Sequence, residues 1–154
     1  MEMPKPTAEH RRLHVFAGEW AGEEKLSPSP WGPGGPAMGR STCRIDLDGF
    51  YVIQDYVEEK DGKVVFSGHG IYGYDVTSKE YCWYWIDSMG MMPPAASRGQ
   101  WEGDTLTFHS KGPQGQGRYV YRFEGDRTQH FRIENSFDGG KTFVTFMEAT
   151  YKKK

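Results

Sequence analysis

Short turn signals recur along the whole chain and separate runs rich in aromatic residues. Asp48-Gly49, Asp61-Gly62, Gly103-Asp104, Gly125-Asp126 and Asp138-Gly139-Gly140 are the clearest. Such pairs accept the positive φ angles that tight hairpins demand. Between them lie the runs 40–47, 50–59, 64–74, 81–87, 105–109, 118–123, 128–135 and 142–151. Most are rich in Val, Ile, Thr, Tyr, Phe and Trp, and several alternate in polarity, as strands do. With 20–26 and a short piece at 98–101, the chain is expected to form about ten strands.

Short links make sequence neighbours into spatial neighbours, which gives an antiparallel up-and-down meander. Ten strands laid flat would expose two edges, and closure removes both. The expected fold is therefore all-β: a closed antiparallel barrel over 18–151, with room for a small ligand. Residues 7–17 read as one short helix capped by Thr7, with Leu13 and Phe16 on one face, plugging one barrel end. Residues 27–37 (SPSPWGPGGPA) and 88–97 (SMGMMPPAAS) are too rich in proline or glycine for regular structure, so both are expected to be loops.

Composition supports this reading. The 154 residues suit one domain, 1–154, and 23 of them are Phe, Tyr or Trp, more than Leu, Ile and Val combined. Each aromatic buries about 150–250 Å², so rings can build the core that aliphatics do not. Four leucines are too few for a helical bundle. A net charge of −2 argues against a nucleic-acid partner. No apolar run approaches the roughly 18 residues of a membrane helix. The polar N-terminus lacks a signal-peptide core, which points to the cytoplasm. Cys43 and Cys82 fall on strands that a meander separates by two others, so they are expected as free thiols.

Four stretches carry a resemblance. Gly18-Glu19-Trp20-Ala21-Gly22 follows the short helix, and this Gly-x-Trp start resembles the opening of lipocalin-like (calycin) barrels. Gly68-His69-Gly70-Ile71-Tyr72-Gly73-Tyr74-Asp75, Tyr84-Trp85-Ile86-Asp87-Ser88-Met89-Gly90 and Met147-Glu148-Ala149-Thr150-Tyr151 resemble the bacterial domain-of-unknown-function family 1579. The resemblance implies a calycin-like barrel whose Trp20 packs inside the floor. It implies no particular reaction or ligand.

The residues themselves suggest a binding wall. Pleating sends Tyr81, Trp83, Trp85 and Asp87 to one face of their strand, where aromatic bulk accompanies an acid. A buried carboxylate needs a cation or several donors. Arg44 or Arg132 is the expected partner for Asp87 or Glu148, against ion pairs on the outer wall as the simpler reading. Met89, Met91 and Met92, with Trp31 in the other loop, are candidates for a portal.

The histidines suggest little chemistry. His10 and His14 share a helix face, but no third ligand completes a metal site. Nitrobindins, which are calycin-like, bind haem through a histidine near the C-terminal end of the barrel. Residues 142–151 have none, and His69, His109 and His130 lie elsewhere. No nucleophile motif, metal triad or phosphate loop is present. The leading expectation is a non-enzymatic barrel for a small apolar or aromatic molecule, without a cofactor. A lipocalin-fold isomerase or decarboxylase using an internal acid/base pair is the alternative, a haem barrel a further one, and a filled structural module another. A homodimer remains open.

Overall fold

The computed structural model describes residues 1–113 and 115–154. Ten strands follow in chain order: β1 (Gly18–Leu26), β2 (Gly35–Asp46), β3 (Tyr51–Lys60), β4 (Lys63–Asp75), β5 (Glu80–Asp87), β6 (Ser97–Glu102), β7 (Thr105–Gly112), β8 (Gly115–Glu124), β9 (Thr128–Ser136) and β10 (Val144–Lys153). Each pairs antiparallel with the next, and β1 pairs with β10 from Trp20↔Lys153 to Leu26↔Met147, so the sheet closes into a barrel. The turn chemistry does what the sequence asks of it. Between the paired Lys60 and Lys63, Asp61 and Gly62 take φ values of 52° and 75°, the left-handed pair a two-residue hairpin needs.

The N-terminal element is less regular than the single helix expected over 7–17. An α-helical turn, α1 (Ala8–Arg11), runs straight into a 3-10 turn over Arg12–Phe16. His10 holds the start, its Nδ1 accepting from the Thr7 backbone N–H at 3.0 Å. The tighter turn then drives Leu13 and Phe16, both fully buried, into the barrel end. Phe16 stacks on Tyr72 at 4.2 Å between centroids and meets Tyr121 and Phe123 edge-on. Trp20 seals the same floor and donates its indole N–H to the Phe16 carbonyl at 2.8 Å.

The first irregular segment is shorter than expected, because β2 begins at Gly35 and pairs Pro36 with Lys25 of β1. β3 joins β2 only from Met38 onward, so Pro36 stands where the strand has one neighbour and its missing N–H is tolerated. Residues 88–96 form the second loop, tied to β4 where Ser88 N–H donates to the Ser67 carbonyl and Ser67 N–H to the Ser88 hydroxyl. Cys43 and Cys82 are free thiols, and burial pushes Cys43 up to about 12.

Aromatic rings fill the lower and middle barrel. Tyr72 stacks parallel to Trp83 at 5.6 Å, and Tyr121 stacks on Phe131 at 4.4 Å. Val52, Leu106 and Phe108 complete this layer without solvent exposure. The long connections 27–34, 88–96 and 137–143 gather at the opposite end. Among the described residues no helix is long and apolar enough to cross a membrane.

Candidate functional site

Above the aromatic layer the interior turns polar. β1 projects Trp20, Gly22 and Glu24 inward in alternation, and Glu24 is fully buried. β3 projects Val52, Gln54, Tyr56 and Glu58 the same way, all buried. Strand closure brings β1, β3 and β10 together around one carboxyl group. Tyr56 donates its hydroxyl to Glu24 Oε2 at 2.6 Å and stands 3.2 Å from Glu58 Oε2, while Tyr151 also donates to Glu24 Oε2. Gly39 of β2 permits the approach, because a Cβ there would overlap Glu24 Oε2 and crowd the Tyr151 ring.

The electrostatics follow from burial. Loss of solvent is the largest effect on Glu24 and pushes its carboxyl up to about 7, although the two tyrosine hydroxyls pull the other way. The Glu58 carboxyl raises it further, as two like charges resist ionising together. Burial likewise raises Tyr56 and Tyr151, and the charge of Glu24 adds to the effect.

Two buried polar atoms in this upper interior have no hydrogen-bond partner; the same is true of Trp101 Nε1 at the plugged end and His130 Nε2 on the outer wall. Glu24 Oε1 accepts nothing, and the indole N–H of Trp83, a residue only 6% exposed, donates to nothing. The Trp83 Nε1 lies against Gly70 beside Gln54 Oε1, two residues below Tyr56 on β3. The rest of this layer is satisfied: the Tyr72 and Tyr121 hydroxyls stand 2.8 Å apart, and Tyr72 donates to Gln54 Oε1 at 3.1 Å. Unpaired groups buried in this way cost about 1–3 kcal/mol each, which makes them informative.

The mouth above is lined by half-buried apolar side chains. Trp85 packs across Gly68 and lies 5.8 Å from Tyr56, and Phe66 lies 6.2 Å from Tyr56, both edge-on. Leu26, Tyr119, Ile133 and Phe146 are half-buried against the core below. Trp31 of the 27–34 loop meets Phe146 edge-on at 5.7 Å, whereas Met89, Met91 and Met92 are exposed. Two surface pockets, of about 320 and 290 Å³, lie on the rim near Lys111 and Phe137 and beside α1 near Arg12 and Trp101; neither reaches Glu24.

The residues chosen from sequence divide by face. Trp83 and Trp85 belong to the interior, and Asp87 follows them at the mouth, accepting from Trp85 Nε1 at 2.8 Å and from the Met89 backbone N–H at 2.9 Å. Tyr81 also points inward, but at the plugged end, where its hydroxyl donates to the Glu9 carbonyl at 2.9 Å. Arg44, Arg132 and Glu148 face outward, which corrects the expected pairing with Asp87. Arg44 bridges Asp46 and Asp55 at 3.1 and 3.3 Å, and Arg132 meets Glu134 at 3.2 Å. Parity is the reason: their neighbours Cys43, Phe131, Met147 and Ala149 are buried, so they cannot be.

The histidines stay outside the barrel. His14 Nε2 pairs with the Gly49 carbonyl, His69 with Asp55 and His130 with the Thr150 hydroxyl; His109 is exposed, and His10 packs among Phe50 and Tyr74. A haem seated in the barrel would therefore find no imidazole there. Among the described residues no group of three His, Cys, Asp or Glu is placed to hold a metal.

Sequence reasoning missed Glu24, Tyr56, Glu58 and Tyr151. A signal existed for the first: Trp20 was read as an inward anchor, and Glu24 lies four residues on along the same pleat.

A closed ten-stranded barrel with a short N-terminal plug and a polar interior under an aromatic mouth is a calycin-like barrel. The chain belongs to the protein family of unknown function DUF1579, whose model matches residues 5–153. Among solved structures it is similar to Rv2717c from M. tuberculosis, with a TM-score of 0.72 at 13% identity over 96% of this chain and 98% of that one. It is also similar to the S-type phycobiliprotein lyase CPES from Guillardia theta, with a TM-score of 0.63 at 11% identity over 97% and 98% of the two chains. At these identities the likeness is one of fold. No curated protein matches the chain in sequence.

Proposed function

We propose that this protein is a cytoplasmic binding barrel that takes a small, largely apolar or aromatic molecule through its open mouth. The observation that carries this reading is the pair of buried, unpartnered atoms, Glu24 Oε1 and Trp83 Nε1, in an interior where the hydroxyls of Tyr56, Tyr72, Tyr121 and Tyr151 are paired. A fold tolerates such groups where a guest completes them. Trp83, Trp85 and Phe66 would supply the apolar contact, Asp87 would hold the Trp85 indole at the mouth, and Glu24, Tyr56, Glu58 and Tyr151 would form the polar floor. The fold shared with a phycobiliprotein lyase is consistent with a barrel that handles small molecules.

Native mass spectrometry of freshly purified protein tests the reading. A retained adduct that is lost on denaturation is the expected result. Protein that carries none, and whose Trp83 and Trp85 indole resonances stay fixed against a panel of small aromatic compounds, defeats it.

A second reading has one observation in its favour. A carboxyl pushed up to about 7 is matched to proton transfer at neutral pH, so Glu24 suits a general acid/base of an isomerase or decarboxylase. A chemically altered adduct would move the assignment there.

A further inference from the structure

We propose that the guest is a small protonated amine, its ammonium seated against Glu58 and Glu24 and its apolar body held by Tyr56, Phe66 and Trp85. This rests on the binding reading above and adds the ligand's charge.

The first argument is the sign of the interior. Three acids face its upper part, Glu24, Glu58 and Asp87, whereas the inward-facing Lys153 lies at the plugged end over the Trp20 ring. The arginines of the neighbouring strands, Arg40, Arg44, Arg118 and Arg132, are all spent on outer-wall ion pairs with Glu59, Asp46, Asp55 and Glu134. A charged guest of the opposite sign is the partner such an interior lacks.

The second argument is the empty acceptor. Oε2 of Glu24 already receives two hydroxyls, whereas Oε1, fully buried, receives none. A primary ammonium brings three N–H donors on one compact centre. It can satisfy Oε1 and an oxygen of Glu58 together, through charge-assisted bonds.

The third argument is the ring arrangement. Phe66 and Trp85 each stand edge-on to Tyr56, at 6.2 and 5.8 Å, so three aromatic groups surround the approach to Glu58. Ring faces around a cation attract it, most strongly where water is excluded. Glu58, 9% exposed, is the acid nearer the mouth, with fully buried Glu24 below.

The groups that face Glu24 are Tyr56 and Glu58 from β3 and Tyr151 from β10, with Gly39 of β2 contributing no charge. Asp87 of β5 is engaged by Trp85 and Met89. An arriving ammonium would therefore neutralise the site as the proton on Glu24 does. Binding should expel that proton, and affinity should rise with pH toward about 7.

The test is calorimetric titration of the full chain with phenethylamine, 2-phenylethanol and phenylacetate near neutral pH, in two buffers of different ionisation enthalpy. Phenethylamine should bind at least about tenfold more tightly than the alcohol or the acid, as loss of a charge-assisted contact implies. Its binding should release protons. Glu58→Gln should weaken the amine about tenfold more than it weakens the alcohol. Glu24→Gln should abolish proton release. The alcohol binding as tightly as the amine overturns the proposal while leaving a binding barrel in place. Amine binding without proton release in the native chain also overturns it, whatever the variants do. Silence from all three probes overturns the amine assignment too; the mass spectrum of the purified protein judges the binding reading separately.

Discussion

Tyr56 donates to Glu24 across the barrel, hydroxyl to carboxyl oxygen at 2.6 Å, with both groups buried. One phenol carries one proton, yet the same oxygen stands 3.2 Å from Glu58. Two acids thus compete for a donor that can serve only one at full strength. Burial is the main reason that Glu24 is pushed up to about 7, and the Glu58 carboxyl beside it adds to the effect.

The first prediction concerns pH. Glu24 is pushed up from 4.5 to about 7 in the fold. The folded chain therefore holds this proton more tightly than the unfolded one. Its contribution is fully present below about pH 4.5 and is lost as pH rises through about 7, by up to about 3 kcal/mol. Asp75 and Asp138, held down to about 2 mainly by hydrogen bonds from Arg98 and Thr142, act in the opposite sense and only in stronger acid. Urea midpoints measured across this window should fall toward alkaline pH in the native protein and flatten in Glu24→Gln. A flat native profile would show that the carboxyl is not perturbed.

Trp20 anchors the floor through both its ring and its N–H. Trp20→Ala should cost roughly 3–5 kcal/mol, the scale of a large aromatic removed from a core. Trp20→Phe keeps most of the packing and loses the bond to the Phe16 carbonyl, so it should cost about 1 kcal/mol plus the volume change. Thermal melts of the two variants separate packing from hydrogen bonding. Equal losses would mean the hydrogen bond matters more than the ring.

Gly39 is where backbone and carboxyl meet. Gly39→Ala would drive a methyl into Glu24 Oε2, and the carboxyl can leave only by breaking its contacts with Tyr56 and Tyr151. The substitution should destabilise by about 1–3 kcal/mol. It should also remove the pH slope that Glu24 creates. Retention of that slope would place the carboxyl elsewhere.

Arg44 and Arg132 should be dispensable for anything that happens inside. Arg44 sits in exposed pairs of the kind worth about 0–1 kcal/mol, and Arg132 shares Glu134 with Arg118, which keeps that carboxylate paired without it. Arg44→Ala and Arg132→Ala should leave adduct retention and amine affinity unchanged and shift the melting temperature little. A loss of binding in either would return the arginine to the site.

The fold was legible because hairpin chemistry is local. Asp61-Gly62 needs no knowledge of the rest of the chain to demand a left-handed turn, and ten runs between such signals leave few topologies. The inward face of β5 was legible for the same reason, since Trp83 and Trp85 declare it two residues apart. The polar floor was not, because Glu24 sits in Glu23-Glu24-Lys25 and Glu58 in Glu58-Glu59-Lys60, and both read as solvated charge. Only closure of β1 on β10, with β3 nearby, turns these acids toward tyrosines from distant segments. The partner of Asp87 failed differently. Its parity was right, but the arginines were assigned by charge alone, and Cys43 and Phe131 beside them already pointed them outward.

Leu13, Phe16 and Trp20, all buried, close one end of the barrel. On the binding reading proposed above, an occupant would enter and leave at the other end. Arrival and departure then share one barrier, shaped by residues 88–96 and by Trp31 against Phe146. Changes at the floor alter how long the fold survives, and changes at the rim alter how long an occupant stays. Two lifetimes, one of the protein and one of its cargo, are thus set at opposite ends of the same molecule and can be tuned apart.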